Sequence, residues 1–283
     1  LSPFLSLNDS AVGQQTLTAN LNQAISINTS ATPALQALAI SDKNLLSGAS
    51  NTVTGLSTKY GVAANLGGGL PAQTAIGGVT PVQAVGGLGT QLGAIYVSGV
   101  NGYAAGTSTA LKNTVTLLTS AYNYTGSDVG SKNYFANGTI NGTIAAVAPD
   151  GYTLPTYKGL PNKTDSVYDL AYGVKNTDAG QNIYGDSRPL QVAASKMNQF
   201  DPTALAGINT NPAFPSGHTN YAYTDSLLLA MLVPQEYKSM LSRAAEYANS
   251  RIVLGVHYPL DIIASRSLAS YDLAQAFTNS AYI

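Results

Sequence analysis

The stretch QEYKSMLSRAAEYANSRIVLGVHYPLDIIASRSLASYDLAQAFTNSAY, residues 235–282, decides what kind of fold this chain takes. Apolar residues recur in it at three- and four-residue spacings on both sides of a short break at Gly255-Val256-His257-Tyr258. That period predicts two helices, because it stacks apolar side chains along one helical face. Pro259 suits the first turn of the second helix, where a missing N–H costs nothing. Outward from this pair, the same period returns in TNYAYTDSLLLAMLV (219–233) and DSVYDLAYGVKN (165–176). TANLNQAISI (18–27) and ATPALQALAISDKNLLSGA (31–49) read as amphipathic helices with polar starts, and TSTALKNTVTLLTSAYNY (107–124) as another. Between them, residues 61–106 are dominated by glycine, and FANGTINGT and APDGYTLP break up 125–165. No run sustains period-two alternation. The expectation is an all-α fold forming a single domain over 1–283. Its core would be residues 165–283, with a helical and Gly-rich N-terminal portion, 1–150, packed on it.

Composition narrows the function classes. At 283 residues and 45% hydrophobic, the chain can bury a substantial core. Only 10% of residues are charged, against about 25% in ordinary domains. Thirteen basic and fourteen acidic residues leave a net charge of −1, which argues against nucleic-acid binding, since displacing counterions from phosphates needs a basic surface. There is no cysteine, and two histidines cannot build a three-histidine zinc site, so no metal or cofactor is expected. The longest apolar run, LLLAMLV (227–233), stops at Pro234, far short of the roughly 18 residues a membrane span requires. A start at Leu1 rather than methionine suggests a removed signal peptide and a secreted or periplasmic location. Six Asn-x-Ser/Thr triplets (Asn8, Asn28, Asn123, Asn137, Asn141, Asn162) would fit export, but a chain rich in Asn, Ser and Thr produces them by chance. GLGTQLG (87–93) departs by one residue from a dinucleotide-binding loop and reads as close helix packing or loop.

The chemistry concentrates in three short clusters. AFPSGHTNYAY (213–223) carries one of the two histidines, His218, directly after Pro-Ser-Gly, and SRIVLGVHYPLD (250–261) carries the other, His257. In that second cluster Arg251 precedes His257 by six residues and Asp261 follows it by four. From the first turn of a helix starting near Pro259, Asp261 can reach back to one ring nitrogen of His257. That contact would fix the tautomer and leave the other nitrogen basic. QNIYGDSRPL (181–190) adds Arg188 before Pro189. Two arginines whose planar forks match phosphate oxygens, with Ser216 and the Gly217 backbone at a helix start, describe an anion site. Alone, each piece is ordinary: Pro-Ser-Gly makes a turn, Asp261 suits a helix N-terminus, and Arg-Pro opens a surface helix. The Ser-Arg pairs at 242–243 and 265–266 have no histidine six residues on. What is not ordinary is that both histidines and two arginines fall within 188–261.

QNIYGDSRP, PSGH and SRIVLGVHYPLD together resemble the three-part signature of the type 2 phosphatidic acid phosphatase (PAP2) superfamily, over about residues 181–265. That superfamily includes soluble class A acid phosphatases, membrane lipid phosphatases and vanadium haloperoxidases. Its pattern is Lys-x6-Arg-Pro, then Pro-Ser-Gly-His, then Ser-Arg-x5-His-x3-Asp, and the second and third parts match residue for residue. The resemblance implies a helical bundle of the PAP2/haloperoxidase type and a metal-independent phosphatase acting on small phosphate esters, with phosphate or vanadate as inhibitor. Carried over by position, His257 would be the nucleophile forming a phosphohistidine, Asp261 its orienting acid, and His218 the general acid and then base. Arg188, Arg251, Ser216 and Gly217 would hold the phosphoryl oxygens. The first part departs from the pattern: Gln181 stands seven residues before Arg188 where the family has lysine, while Lys175 lies thirteen before it. Tyr184, four before the arginine, resembles the class A enzymes and supports the register with Gln181 in the lysine's place. The alternatives left open are a vanadium-dependent haloperoxidase and a non-catalytic protein binding phosphate or a phosphorylated ligand.

Overall fold

The computed structural model describes residues 2–46, 86–88, 92 and 166–278. Every regular element among them is helical and none is a strand, so the fold is all-α. The expected Gly-rich portion at 61–106, apart from residues 86–88 and 92, and the expected helix at 107–124 lie outside the described residues. The helices are α1 (Ala11–Thr29), α2 (Pro33–Leu46), α3 (Val167–Tyr172), α4 (Pro189–Val192), α5 (Gly217–Leu232), α6 (Tyr237–Val253) and α7 (Pro259–Thr278). None of the described helices is long and apolar enough to cross a membrane.

Local chemistry explains most of these boundaries. Ser10 caps α1 by accepting the Gly13 N–H at 3.1 Å, and Ser166 caps α3 by accepting the Asp169 N–H. The helical pattern read over 165–176 stops early, at Tyr172, because Gly173 turns left-handed (φ 71°) and returns its N–H to the Asp169 carbonyl. Helix α1 starts seven residues before the periodic stretch at 18–27 that announced it. Pro259 opens α7 as expected.

The chain divides into two compact groups of segments. The first takes Leu1–Ala31, Gly126–Gly217 and Ile252–Leu268. Its core joins Phe4, Leu5, Leu17 and Ala24 to Val167, Tyr168, Phe214, Ile252, Tyr258 and Ala264. Burying each large member is worth about 1.5–3 kcal/mol, so the N-terminal segment is integral to this group. Two buried asparagines on α1 fix its position. Asn20 Oδ1 accepts the Leu260 N–H at 2.9 Å, satisfying a free donor in the first turn of α7. Asn28 gives Nδ2 to the carbonyls of Asn198 (2.9 Å) and Val253 (2.8 Å), and its Oδ1 accepts the Asn198 N–H (2.7 Å). Fully buried and spent on these bonds, the Asn28 amide is no glycosylation acceptor.

Gly255 lies in this group between α6 and α7, with φ at +69°. A Cβ there would stand 2.6 Å from Leu190 Cγ, so both the backbone conformation and the packing demand glycine. Gly255→Ala is expected to lower stability by about 1–3 kcal/mol, read as a reduced thermal or urea midpoint. An unchanged midpoint would remove the requirement.

The second group takes Thr32–Thr125, His218–Arg251 and Ala269–Ile283. Met240, Ala244, Tyr247 and Ala248 form the buried stripe of α6. Arg243, 1% exposed, forms a two-pronged ion pair with Asp42 of α2, and Ser250 donates to Asp42 Oδ2 at 2.7 Å. Gly86 packs against α6, giving its N–H to Glu246 Oε2 at 3.2 Å. A Cβ on Gly86 would meet the Ser239 carbonyl oxygen at 2.6 Å. Of the 87–93 stretch, only residues 87, 88 and 92 lie among the described residues.

Candidate active site

The first group brings Arg188, Ser216, His257 and Asp261 together. At the N-terminus of α7, Asp261 Oδ2 accepts the Tyr258 N–H at 2.8 Å and faces His257 Nδ1 at 3.1 Å. This is the carboxylate half of a capping box at the helix start, with a histidine as an added donor. On the other side of the ring, Arg188 Nη1 lies 3.0 Å from His257 Nε2. A guanidinium has donors only, so Nε2 is the acceptor and the ring proton sits on Nδ1, donated to Asp261. Arginine, imidazole and carboxylate therefore form a polarised chain, buried to within 5% exposure at every member.

Arg188 is held in an unusually full set of bonds. Nε donates to the Asn211 carbonyl (3.1 Å) and Nη1 also donates to the Val256 carbonyl (2.7 Å). Nη2 reaches the Asn211 carbonyl (2.9 Å), Asn211 Oδ1 (3.1 Å) and the Pro212 carbonyl (3.3 Å). The fork expected to grip an anion is thus engaged with chain acceptors and with His257. An incoming oxyanion must take over one of those bonds.

The residues that orient this chain were not singled out in the sequence. Tyr168 donates its hydroxyl to Asp261 Oδ1 at 2.5 Å, and Tyr258 donates its own to the Ser187 carbonyl at 2.8 Å. The Ser216 N–H donates to the Asp261 carbonyl at 3.3 Å, tying the Pro-Ser-Gly turn to the start of α7. The loop before Arg188 is fastened to α3 in two places. Asp169 Oδ1 accepts the Ser187 N–H at 2.8 Å, and Asp186 Oδ1 accepts the Tyr168 N–H at 3.1 Å. Asp186 adopts φ +50°, a conformation aspartate tolerates better than most residues. Burial, above all, raises its carboxyl well above the usual carboxylate range, and the nearby Asp169 and Asp261 charges add to this, although the Tyr168 N–H opposes it. Burial likewise raises the Tyr168 and Tyr258 phenols, with the Asp261 charge contributing to both, so each stays a hydrogen-bond donor. The available signal was Asp169 and Tyr168 in the polar start of a helix just before the Arg-Pro cluster.

Gln181 belongs to the same group but is turned to its framework. Its Nε2 donates to the Gln191 carbonyl at 3.0 Å, while Gln191 Oε1 accepts the Arg188 N–H at 2.8 Å. Lys175 is exposed, and its N–H donates to Asp178 Oδ2. His218 and Arg251 fall in the second group. His218 is the second residue of α5, half-buried, with its ring 6.5 Å from that of Tyr247 and inclined by 21°. Arg251 is 4% exposed in the last turn of α6. The Tyr247 phenol is raised by burial, partly offset by the Arg251 charge. Among the described residues no cluster of three His, Cys, Asp or Glu side chains is arranged to hold a metal ion.

This geometry sits in a stretch with known relatives: residues 170–278 match the family model of the PAP2 superfamily. Over that stretch the chain is similar to the PAP2 superfamily. The chain is 31% identical over 124 residues to a non-specific acid phosphatase of Providencia stuartii, covering 44% of this chain and 47% of that protein. It is 35% identical over 68 residues to an acid phosphatase of Zymomonas mobilis, covering 24% and 26% of the two chains. A non-specific acid phosphatase of Salmonella typhimurium matches at 29% over 75 residues, 26% of this chain and 30% of that one. The chain thus spans about half or less of the length of these curated relatives. The matched stretch takes in all three sequence clusters and half of α3, and Tyr168 lies two residues before it.

Proposed function

We propose that this protein is a phosphatase that hydrolyses small phosphate esters through a phosphohistidine on His257. The observation that carries the proposal is the buried Arg188–His257–Asp261 chain, which leaves the Nε2 lone pair as the basic end of a neutral imidazole. In the first step Nε2 attacks phosphorus, the P–O ester bond breaks, and His218 gives a proton to the departing alkoxide. In the second, His218 takes a proton from water, the hydroxide attacks phosphorus, and the N–P bond breaks to release phosphate and restore His257. Arg188, Arg251, Ser216 and the Gly217 backbone stabilise charge on the phosphoryl oxygens, which is where most catalysis of phosphoryl transfer resides. On substrate arrival a phosphoryl oxygen takes over the Arg188 Nη1 proton and uncovers Nε2.

The test is hydrolysis of an aryl phosphate in excess chelator, with acid- and base-quenched samples assayed for protein-bound phosphate. Turnover with a base-stable, acid-labile phosphoenzyme is expected. Turnover without it removes the phosphohistidine, and no turnover removes the activity. Bromide oxidation by peroxide only after vanadate addition would assign the site to the haloperoxidases instead. Gln181→Lys is expected to tighten inhibition by inorganic phosphate about tenfold, roughly the worth of one added charge in a partly buried site. Unaltered inhibition would place residue 181 away from the anion.

A further inference from the structure

We infer that Tyr168 is a positioning residue for the reaction, its hydroxyl clamping Asp261 so that the carboxylate holds His257 in one tautomer and one orientation. The inference rests on the reading of His257 as nucleophile. Asp261 receives three donors in the described geometry: Tyr168 O–H on Oδ1 at 2.5 Å, and Tyr258 N–H and His257 Nδ1 on Oδ2 at 2.8 and 3.1 Å. The bond on Oδ1 is the shortest of the three, in the range of a charge-assisted O–H···O⁻ contact. With donors on both oxygens the carboxylate cannot rotate without breaking one of them. Without the phenol, Oδ1 loses that bond in a fully buried setting, and the carboxylate gains a reason to turn and take the His257 proton on its other oxygen.

The phenol is itself rigidly placed. Its ring packs edge-on to Phe4 (5.2 Å, 87°) and against Tyr258 (4.4 Å) and Tyr172 (5.6 Å). The Tyr168 N–H is fixed to Asp186, in the loop that leads to Arg188. One short helix therefore sets both ends of the chain: through Tyr168 the carboxylate, and through Asp169 and Asp186 the backbone entering Arg188. Outer partners that orient a reacting group in this way are typically worth roughly 10-fold to 100-fold in activity.

The variant that isolates the hydroxyl is Tyr168→Phe, which keeps the ring and its packing. Tyr172→Phe is the matched control. Tyr172 sits in the same aromatic cluster, but its hydroxyl serves the Leu17 carbonyl and Asn20, not Asp261. Two readouts are used on the full chain. The first is steady-state hydrolysis of an aryl phosphate, where Tyr168→Phe is expected to lower kcat by roughly 10-fold to 100-fold with KM within twofold, and Tyr172→Phe to leave both near wild type. The second is ¹⁵N NMR of the imidazole rings. The chain has two histidines, so a His218→Gln background leaves one ring to observe. Wild-type His257 is expected to show a protonated Nδ1 and a bare Nε2, and Tyr168→Phe a mixture of tautomers. Both changes together support the inference. An unmoved ring pattern overturns it whether or not kcat falls, and so does a changed ring pattern at undiminished kcat. If the wild type hydrolyses nothing, the phosphatase reading fails, while the ring spectra still decide whether Tyr168 positions His257.

Discussion

His257→Ala is expected to lower kcat for aryl phosphate hydrolysis by about 10⁴-fold or more and to abolish protein-bound phosphate, if His257 is the nucleophile proposed. Removing a covalent nucleophile from a site that works as a unit has effects of this order, because the remaining groups stabilise charge but have nothing to transfer the phosphoryl group to. The magnitude follows from the arrangement around the ring. Arg188 and Asp261 engage the two nitrogens from opposite sides, so the reactive lone pair has one direction and one tautomer. The loss is expected in kcat rather than KM, since the arginines and backbone donors proposed to bind the ester remain. A circular dichroism spectrum matching wild type separates this outcome from unfolding, since the vacated space is bounded by Asp261, which keeps its bonds from Tyr168 and the Tyr258 N–H. Turnover of His257→Ala equal to wild type would end the phosphohistidine mechanism.

Asp42→Ala has the largest expected effect on stability, and it lies in the other group of segments. Arg243 and Asp42 are each 1% exposed, and the pair is two-pronged. Removing the carboxylate leaves a buried guanidinium whose remaining acidic neighbour, Glu246, stands at 4.0 Å. Leaving one partner of a buried pair uncompensated costs about 3–5 kcal/mol. For a chain of this size that is a fall of roughly 10 °C or more in the thermal midpoint. The double replacement Asp42→Leu/Arg243→Met should cost clearly less than the sum of the single changes, because no charge is then stranded. Because both groups are shielded from solvent, the penalty should change little with salt. A fall under 1 kcal/mol, or strict additivity in the double variant, would mean the pair does not act as a buried unit.

The helical class was legible from the residues, and so was the contact between His257 and Asp261. The apolar period of 235–282 announced α6 and α7, and Pro259 marked the start of the latter, because periodicity and capping are local properties of the chain. The spacing of His257 and Asp261 also announced their contact, since four residues across a helix start is a short-range geometry. Gly173 carried the signal that ends α3, although the periodic pattern ran past it. The placement of Tyr168 on Asp261 was not legible. The two are 93 residues apart, and any of eighteen tyrosines could have served in a core.

By itself, then, the amino-acid order determined the all-α class, the start of α7 at Pro259, and the short-range geometry that sets a carboxylate beside an imidazole. It also marked residues 181–265, through three spaced clusters, as resembling the PAP2 superfamily. Only the tertiary structure decided which groups hold those residues in place. It brought Tyr168 to the carboxylate, spent the Arg188 fork on Asn211, Pro212 and Val256 as well as His257, and turned Gln181 toward Gln191. The physical reason is range. Caps and periodicity act within a turn or two of the backbone. The partner of a buried polar atom is whatever the packed interior brings within about 3 Å of it, and close packing draws that from anywhere along the chain.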